Sequence, residues 1–285
     1  MEVDGAGTVI NNSKIGRMGL DLYIDTERGS SFAGIFKPAA ETNTLVENII
    51  DLSDIKHSVF RKEKGKMYFY TIGLPTLEAT KSIKIILQKD SKLGHGIKYR
   101  NQKPIVYYGS SITQGIASPK PGRTYQAIIS RRLNSDYINL GFSGNAKGEK
   151  EMMENIAFLD MEAFVYDYDH NAPDVEHLEK THKRGYEIVR EKHPGIPIIM
   201  ISKPDFRTSI ISSSYNNEKS RDVIYKTYID ALNSGDKNVY FMDGAEFFNF
   251  DEGDLATSDL CHPNALGFYV MAEKIGNLLK KVLLF

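Results

Sequence analysis

Residues 102–285 alternate short β-prone runs with longer segments whose apolar residues recur at helical spacing, and this pattern most strongly limits the possible folds. Strands are predicted at 105–108, 137–142, 163–168, 198–201 and 239–242, and helices at 124–133, 148–159, 175–191, 217–232 and 264–282. Strands that are apolar on both faces and alternate with helices form parallel sheets covered by helices on both sides. We therefore predict a three-layer α/β domain with a five-stranded parallel sheet over residues 102–285.

The first hundred residues have a different pattern, in which apolar residues mostly alternate with polar ones. Short β-prone runs occur at 20–24, 31–36, 67–72 and 83–87. Such runs predict strands of an antiparallel sheet or sandwich. Because a complete sandwich commonly has about seven strands, we predict a small all-β, sandwich-like module over residues 1–101 that is reduced or incomplete.

The composition excludes several classes of function. The formal net charge is −1, from 36 basic and 37 acidic residues, which argues against nucleic acid as a partner. No apolar run approaches the roughly 20 residues of a membrane-spanning helix. The single cysteine, Cys261, excludes an intramolecular disulfide and a multi-cysteine zinc site. With no signal-peptide pattern in the chain, we expect a cytoplasmic protein; the sequence does not predict its oligomeric state.

Polar residues follow the predicted strands, at the edge where the site of a doubly wound sheet lies. Ser111 follows the first strand, Gly144 the second and Asn171 the third, and Asp259 and His262 precede the last helix. A serine hydroxyl becomes a good nucleophile when a base takes its proton. Histidine can be this base, and a carboxylate on its other nitrogen orients it and stabilises its charged form.

These residue types predict a serine nucleophile, Ser111, with His262 as base and Asp259 as its partner. Ser110 is an alternative nucleophile one residue away. The amides of Ser111 and Gly144 and the side chain of Asn171 are candidate donors to an oxyanion. Losing one such donor typically costs about 10²–10³ in rate.

The chain resembles the SGNH/GDSL hydrolases in four segments. GSSIT follows the first strand, GFSGN the second, an asparagine the third, and DLCHPN precedes the last helix. GLDLY at residues 19–23 is similar to the GxDLY element of an N-terminal β-sandwich found in one branch of this superfamily. The resemblance implies a flavodoxin-like sheet and ester hydrolysis through an acyl-enzyme without a cofactor.

Two positions depart from the superfamily pattern. Ser110 stands where an aspartate usually precedes the nucleophile, and Asp169-His170-Asn171-Ala172 replaces the usual GxND block. Asn171, whose amide the chemistry needs, is retained. Ser110, His170 and Asn145 are further candidates for contact with substrate.

The expected activity is hydrolysis of small acyl esters, in particular acetyl esters, of small molecules or carbohydrates. No metal is expected, because the only calcium-loop-like segment, which starts at Asp167, has Ala172 in place of the required glycine. Two alternatives stay open. One is a lipase or thioesterase with a longer acyl pocket, and the other is a non-catalytic carbohydrate-binding protein that retains the fold.

Overall fold

The computed structural model describes residues 13–26, 29–36, 67–80, 82–87, 89–204, 217–249 and 252–284. Its N-terminal part begins with helix α1 (Lys14–Met18), followed by strands β1 (Leu20–Thr26), β2 (Gly29–Phe36) and β3 (Phe69–Gly73). These strands form one antiparallel sheet with the order β2-β1-β3. The prediction of a small antiparallel β region before the α/β domain is confirmed.

One predicted strand of this region is wrong. Residues 82–87 have no regular secondary structure. The residues that alternate, Ile83, Ile85 and Leu87, are 41%, 66% and 44% exposed, so this run buries no face. Alternation marks a strand only when a neighbouring strand supplies hydrogen bonds and a surface for one face. Among the described residues no strand pairs with this run, so its alternation does not produce a strand.

A five-stranded parallel sheet forms the larger part of the molecule, as predicted. Its strands are β4 (Ile105–Gly109), β5 (Tyr137–Gly141), β6 (Ala163–Asp167), β7 (Ile198–Ile201) and β8 (Val239–Met242). They lie in the order β5-β4-β6-β7-β8, which is the flavodoxin-like order. The chain passes from β4 to β5 on one side and then returns to β6 on the other side of β4. A crevice therefore opens between the carboxyl ends of β4 and β6.

Helices cover both faces of the sheet. The helices are α2 (Ser111–Gln114), α3 (Tyr125–Leu133), α4 (Lys150–Ala157), α5 (Val175–Lys192), α6 (Asn217–Asn233) and α7 (Ala265–Val282). Alternate residues of β4 face opposite layers: Tyr107 packs in the core beneath α3 and α7, and Tyr108 packs in the core beneath α4, α5 and α6. This explains why apolar residues occupy both faces of the strands, with Asn139 and Asp167 as polar exceptions.

Polar N-caps set where the long helices begin. Thr124 accepts a hydrogen bond from the amide of Ala127, and Asn264 accepts from the amide of Leu266. Such side chains satisfy amides that have no partner within the helix. No described helix has the length and apolar character needed to cross a membrane.

The N-terminal sheet packs against the segment that joins α2 to α3. The buried carboxylate of Asp21 on β1 accepts a hydrogen bond from the amide of Gly122 at 2.9 Å. Lys120 Nζ lies 3.8 Å from the same carboxylate. Arg131 of α3 lies over the ring of Tyr23, 4.1 Å from its centre. The N-terminal sheet therefore contacts the chain shortly after the helix that begins at Ser111.

Candidate active site

Ser111 is the first residue of α2, directly beyond the carboxyl end of β4. Ser110 caps this short helix, because its hydroxyl accepts a hydrogen bond from the amide of Ile112 at 3.2 Å. Gly115 ends the helix with φ +106°, a left-handed conformation that favours glycine. The strand and these two helix ends fix the position of Ser111, whose relative exposure is 9%.

Ser111, His262 and Asp259 are joined by hydrogen bonds. Ser111 Oγ lies 2.9 Å from His262 Nε2. His262 Nδ1 lies 2.7 Å from Asp259 Oδ2. The other carboxylate oxygen, Oδ1, accepts from the backbone amide of His262 at 2.7 Å. The structure therefore brings together the three residues that the sequence predicts as a triad.

The environment of Asp259 favours its charged form. Partial burial by itself would raise the pKa of this carboxyl group. Hydrogen bonds from the backbone amide and the ring of His262 oppose that effect, together with a bond from the amide of Cys261. The result is a pKa below the ordinary value of 3.8, so Asp259 remains ionised at neutral pH.

The segment after β5 forms a tight turn in which one amide has no acceptor among the described residues. The amide of Asn145 donates to the carbonyl of Phe142 at 2.9 Å, which closes the turn around Ser143 and Gly144. Gly144 has φ +70°, a conformation that glycine adopts at little cost. Every other amide from Phe142 to Ala146 donates to an acceptor among the described residues, whereas that of Gly144 donates to none.

Asn171 lies in the 3₁₀ turn Asp169–Asn171, just beyond β6. Its Oδ1 accepts from the amide of Ala146 at 3.3 Å, which ties it to the turn that contains Gly144. The Nδ2 group makes no hydrogen bond within the described part of the chain, and neither does the amide of Ser111. The ends of β4, β5 and β6 are in register, with Gly109 paired to Gly141 and Asp167. Three N–H donors thus lie beyond three adjacent strands.

The other predicted contacts have different surroundings. The hydroxyl of Ser110 is fully buried and caps α2, so its predicted contact with substrate gains no support. His170 is half-buried in the same 3₁₀ turn as Asn171. Asn145 is exposed, and its Nδ2 donates to the carbonyl of Ser143 at 2.8 Å. Contact of His170 or Asn145 with a substrate stays a prediction.

Sequence reasoning missed the polar groups that hold α2 against the sheet. The carbonyl of Thr113 accepts from Gln126 Nε2 at 2.7 Å and from Asn139 Nδ2 at 2.8 Å. The hydroxyl of Thr113 donates to the buried carboxylate of Asp167 at 3.4 Å. The side chain of Gln114 forms hydrogen bonds to the backbone of Thr76 and of Ser143. The only signal in the sequence is that polar residues interrupt otherwise apolar strand and helix positions.

A hydrogen-bonded serine, histidine and aspartate lie beyond the carboxyl ends of a parallel sheet in the flavodoxin-like order. This arrangement is that of an α/β serine hydrolase. The model of the GDSL-like Lipase/Acylhydrolase family matches residues 102–280. The chain belongs to this family and is an ester-hydrolysing enzyme. A search of curated proteins gave no match.

Solved structures share the fold over most of the chain. A protein from Bacteroides ovatus described as a GDSL-like lipase is 27% identical with a TM-score of 0.76, over 98% of this chain and 78% of that one. The salicylyl-acyltransferase SsfX3 of a tetracycline biosynthetic pathway is 19% identical with a TM-score of 0.63, over 93% and 77% of the two chains. A family two carbohydrate esterase from Clostridium thermocellum is 15% identical with a TM-score of 0.58, over 94% and 86%.

Proposed function

We propose that the protein hydrolyses esters of small acyl groups through a covalent acyl-enzyme on Ser111. The hydrogen bonds from Ser111 Oγ to His262 Nε2, 2.9 Å, and from His262 Nδ1 to Asp259 Oδ2, 2.7 Å, carry the proposal. A nucleophile within hydrogen-bond reach of a base, with the base held by a carboxylate, is the arrangement that activates serine.

The proposed reaction has two steps. Ser111 Oγ attacks the ester carbonyl carbon while His262 Nε2 takes its proton; the tetrahedral intermediate then collapses, and His262 gives that proton to the departing alcohol. In the second step His262 takes a proton from water, the resulting hydroxide attacks the acyl-enzyme, and Ser111 recovers its proton as the carboxylic acid leaves. Asp259 stabilises the charged imidazole that forms in each step.

The negative charge on the tetrahedral oxygen needs fixed donors. We assign this role to the amides of Ser111 and Gly144 and to Asn171 Nδ2, because none of these groups has another acceptor among the described residues. Donors that the fold holds in place need not reorganise when the charge develops, and this makes them effective.

The proposed substrates are acetyl and similarly small esters, including those of carbohydrates. The carbohydrate part of the proposal follows from the β-rich N-terminal region beside the α/β domain, and from a fold shared with a carbohydrate esterase that was solved in complex with cellohexaose. A preference for long acyl chains would instead favour the lipase or thioesterase alternative.

The test compares wild type, Ser111→Ala and Ser110→Ala on p-nitrophenyl acetate and p-nitrophenyl octanoate, and measures acetate release from an acetylated oligosaccharide. Wild type should turn over the acetate faster than the octanoate. Ser111→Ala should lose about 10⁴-fold or more in kcat. Ser110→Ala should fold less stably, because it loses a helix cap worth about 0.5–2 kcal/mol, but should retain turnover and labelling by a fluorophosphonate. Wild-type protein that is neither active nor labelled would contradict the proposal.

A further inference from the structure

Gln114, the last residue of α2, connects two segments that lie far apart in the sequence. Its Oε1 accepts from the amide of Ser143 at 3.0 Å. Its Nε2 donates to the carbonyl of Thr76 at 3.3 Å. Only one orientation of the side-chain amide satisfies both bonds, because a backbone amide can only donate and a backbone carbonyl can only accept. Gln114 is therefore fixed at both ends.

The two segments belong to different parts of the fold. Thr76 follows β3 of the N-terminal sheet, and its hydroxyl donates to the carbonyl of Gly16 at 3.3 Å. Ser143 is the first central residue of the turn that contains Gly144. The bond to Gln114 thus holds the peptide group between Phe142 and Ser143. This group directly precedes the peptide group that carries the Gly144 amide.

The contact between α2 and β5 leaves little freedom for this arrangement. A Cβ atom at Gly141, the last residue of β5, would lie 2.0 Å from the backbone nitrogen of Gln114. The helix therefore lies directly against the end of the strand. Ser111 and Gln114 are three residues apart on this single helical turn. Gln114, which holds the turn that contains Gly144, is therefore rigidly connected to Ser111.

We infer that Gln114 is a positioning residue that sets the Gly144 amide relative to Ser111, and that the N-terminal region contributes to the active site by holding Gln114 through Thr76. The inference rests on the proposed role of Gly144 as an oxyanion donor. A donor displaced by about 1 Å can cost on the order of 10²-fold in rate. Loss of Gln114 should therefore reduce kcat, while contacts that bind the ground-state ester are retained.

The experiment uses the full chain and three variants. Gln114→Met has a similar size and removes both hydrogen bonds. Gln114→Glu still accepts from the Ser143 amide but cannot donate to the Thr76 carbonyl. Gln102→Met is the matched control, because Gln102 is exposed. Three measurements are made on each protein: kcat and KM on p-nitrophenyl acetate, the thermal midpoint, and inhibition by phenylboronic acid. Phenylboronic acid forms a tetrahedral adduct with an active serine.

We expect Gln114→Met to lose about 10–100-fold in kcat with a KM within about threefold of wild type. Its affinity for the boronic acid should fall by a similar factor, since a purely structural defect would lower the amount of active enzyme rather than its affinity for this inhibitor. Gln114→Glu should lose less kcat than Gln114→Met, and Gln102→Met should match wild type.

Two results would overturn the inference: a kcat of both Gln114 variants within threefold of wild type, or a rise in KM without a fall in kcat. Should Gln114→Met fail to fold, Gln114→Ala takes its place, because alanine also removes both hydrogen bonds. An unchanged kcat and boronic acid affinity in Gln114→Glu refutes the contribution of Thr76 alone. An inactive wild type refutes the proposed function itself, whereas an active wild type with unaffected Gln114 variants refutes only this inference.

Discussion

At the scale of single residues, the proposed oxyanion site consists of donors that have no other acceptor among the described residues. Asn171 is the clearest case, because the oxygen and the nitrogen of its side-chain amide have different roles. Oδ1 accepts from the amide of Ala146 and fixes the side chain, whereas Nδ2, which has no acceptor in the described part of the chain, is the proposed donor to the oxyanion. The two functions can be separated by substitution, since aspartate has almost the same shape and keeps the acceptor but replaces the donor by a second oxygen.

We therefore predict that Asn171→Asp lowers kcat on p-nitrophenyl acetate by about 10²–10³-fold or more, because it removes one oxyanion donor and adds a negative charge nearby. Its thermal midpoint should stay close to that of wild type. Asn155→Asp, an exposed substitution of the same type on α4, should leave kcat unchanged. Equal activities of wild type and Asn171→Asp would show that Asn171 does not contact the oxyanion.

The sequence predicts which three side chains, Ser111, His262 and Asp259, lie within hydrogen-bond distance, but not the groups that hold them, for a physical reason. Asp259 and His262 lie on one turn, so their pairing follows from local spacing, and Ser111 follows directly after a strand whose neighbours are predictable. The bonds of Gln114 depend on where Thr76 and Ser143 lie in space. Nothing in the local sequence around Gln114 specifies these two positions.

At the scale of elements, periodicity predicts what a layered domain buries. Most positions of the parallel strands are apolar, because helices cover both faces of the sheet. The predicted bounds of these strands agree with the observed ones to within about one residue. The predicted strand at 83–87 failed, since a half-buried strand needs a partner that its own sequence does not specify. The periodicity of apolar residues also does not predict which polar residues are buried between the layers. His182 on α5 is such a residue.

His182 lies against the ring of Tyr166, with ring centres 4.6 Å apart, and its Nδ1 is 3.1 Å from the hydroxyl oxygen of Thr227. Complete burial lowers the pKa of His182 from 6.5 to about 3. Between these values the unfolded chain binds a proton that the folded chain does not. The free energy of unfolding contributed by neutral His182 is therefore complete above pH 6.5 and is lost as the pH falls towards 3.

We predict that His182→Phe, which keeps a ring against Tyr166, reduces the fall in the free energy of unfolding between pH 6.5 and pH 5. The difference in slope should approach about 1.4 kcal/mol per pH unit at most. Urea unfolding at several pH values measures this slope, with His95→Phe, at an exposed position, as the control. Parallel stability curves for wild type and His182→Phe would contradict the assignment of acid sensitivity to His182.

At the scale of the whole molecule, the N-terminal sheet and the α/β domain meet around one buried carboxylate. Burial raises the pKa of Asp21 above its ordinary value, against the opposing effects of the Gly122 amide and the cations of Lys120 and Arg131. Removing a buried carboxylate that accepts from a backbone amide destabilises a contact mainly because the amide loses its acceptor and the nearby cations lose a compensating charge. The contact forms just after α2, so the folding of the two parts should be linked.

We predict that Asp21→Ala destabilises the whole protein by about 1.5–3 kcal/mol, because the Gly122 amide loses its acceptor and Lys120 its nearest carboxylate. The thermal midpoint should fall by about 2–5 °C. Asp160→Ala is the matched control: Asp160 also pairs with a lysine, Lys103 at 3.3 Å, but its side chain is 82% exposed, and such pairs contribute at most about 1 kcal/mol. Equal midpoints for the two variants would mean that the contact around Asp21 does not couple the N-terminal sheet to the α/β domain.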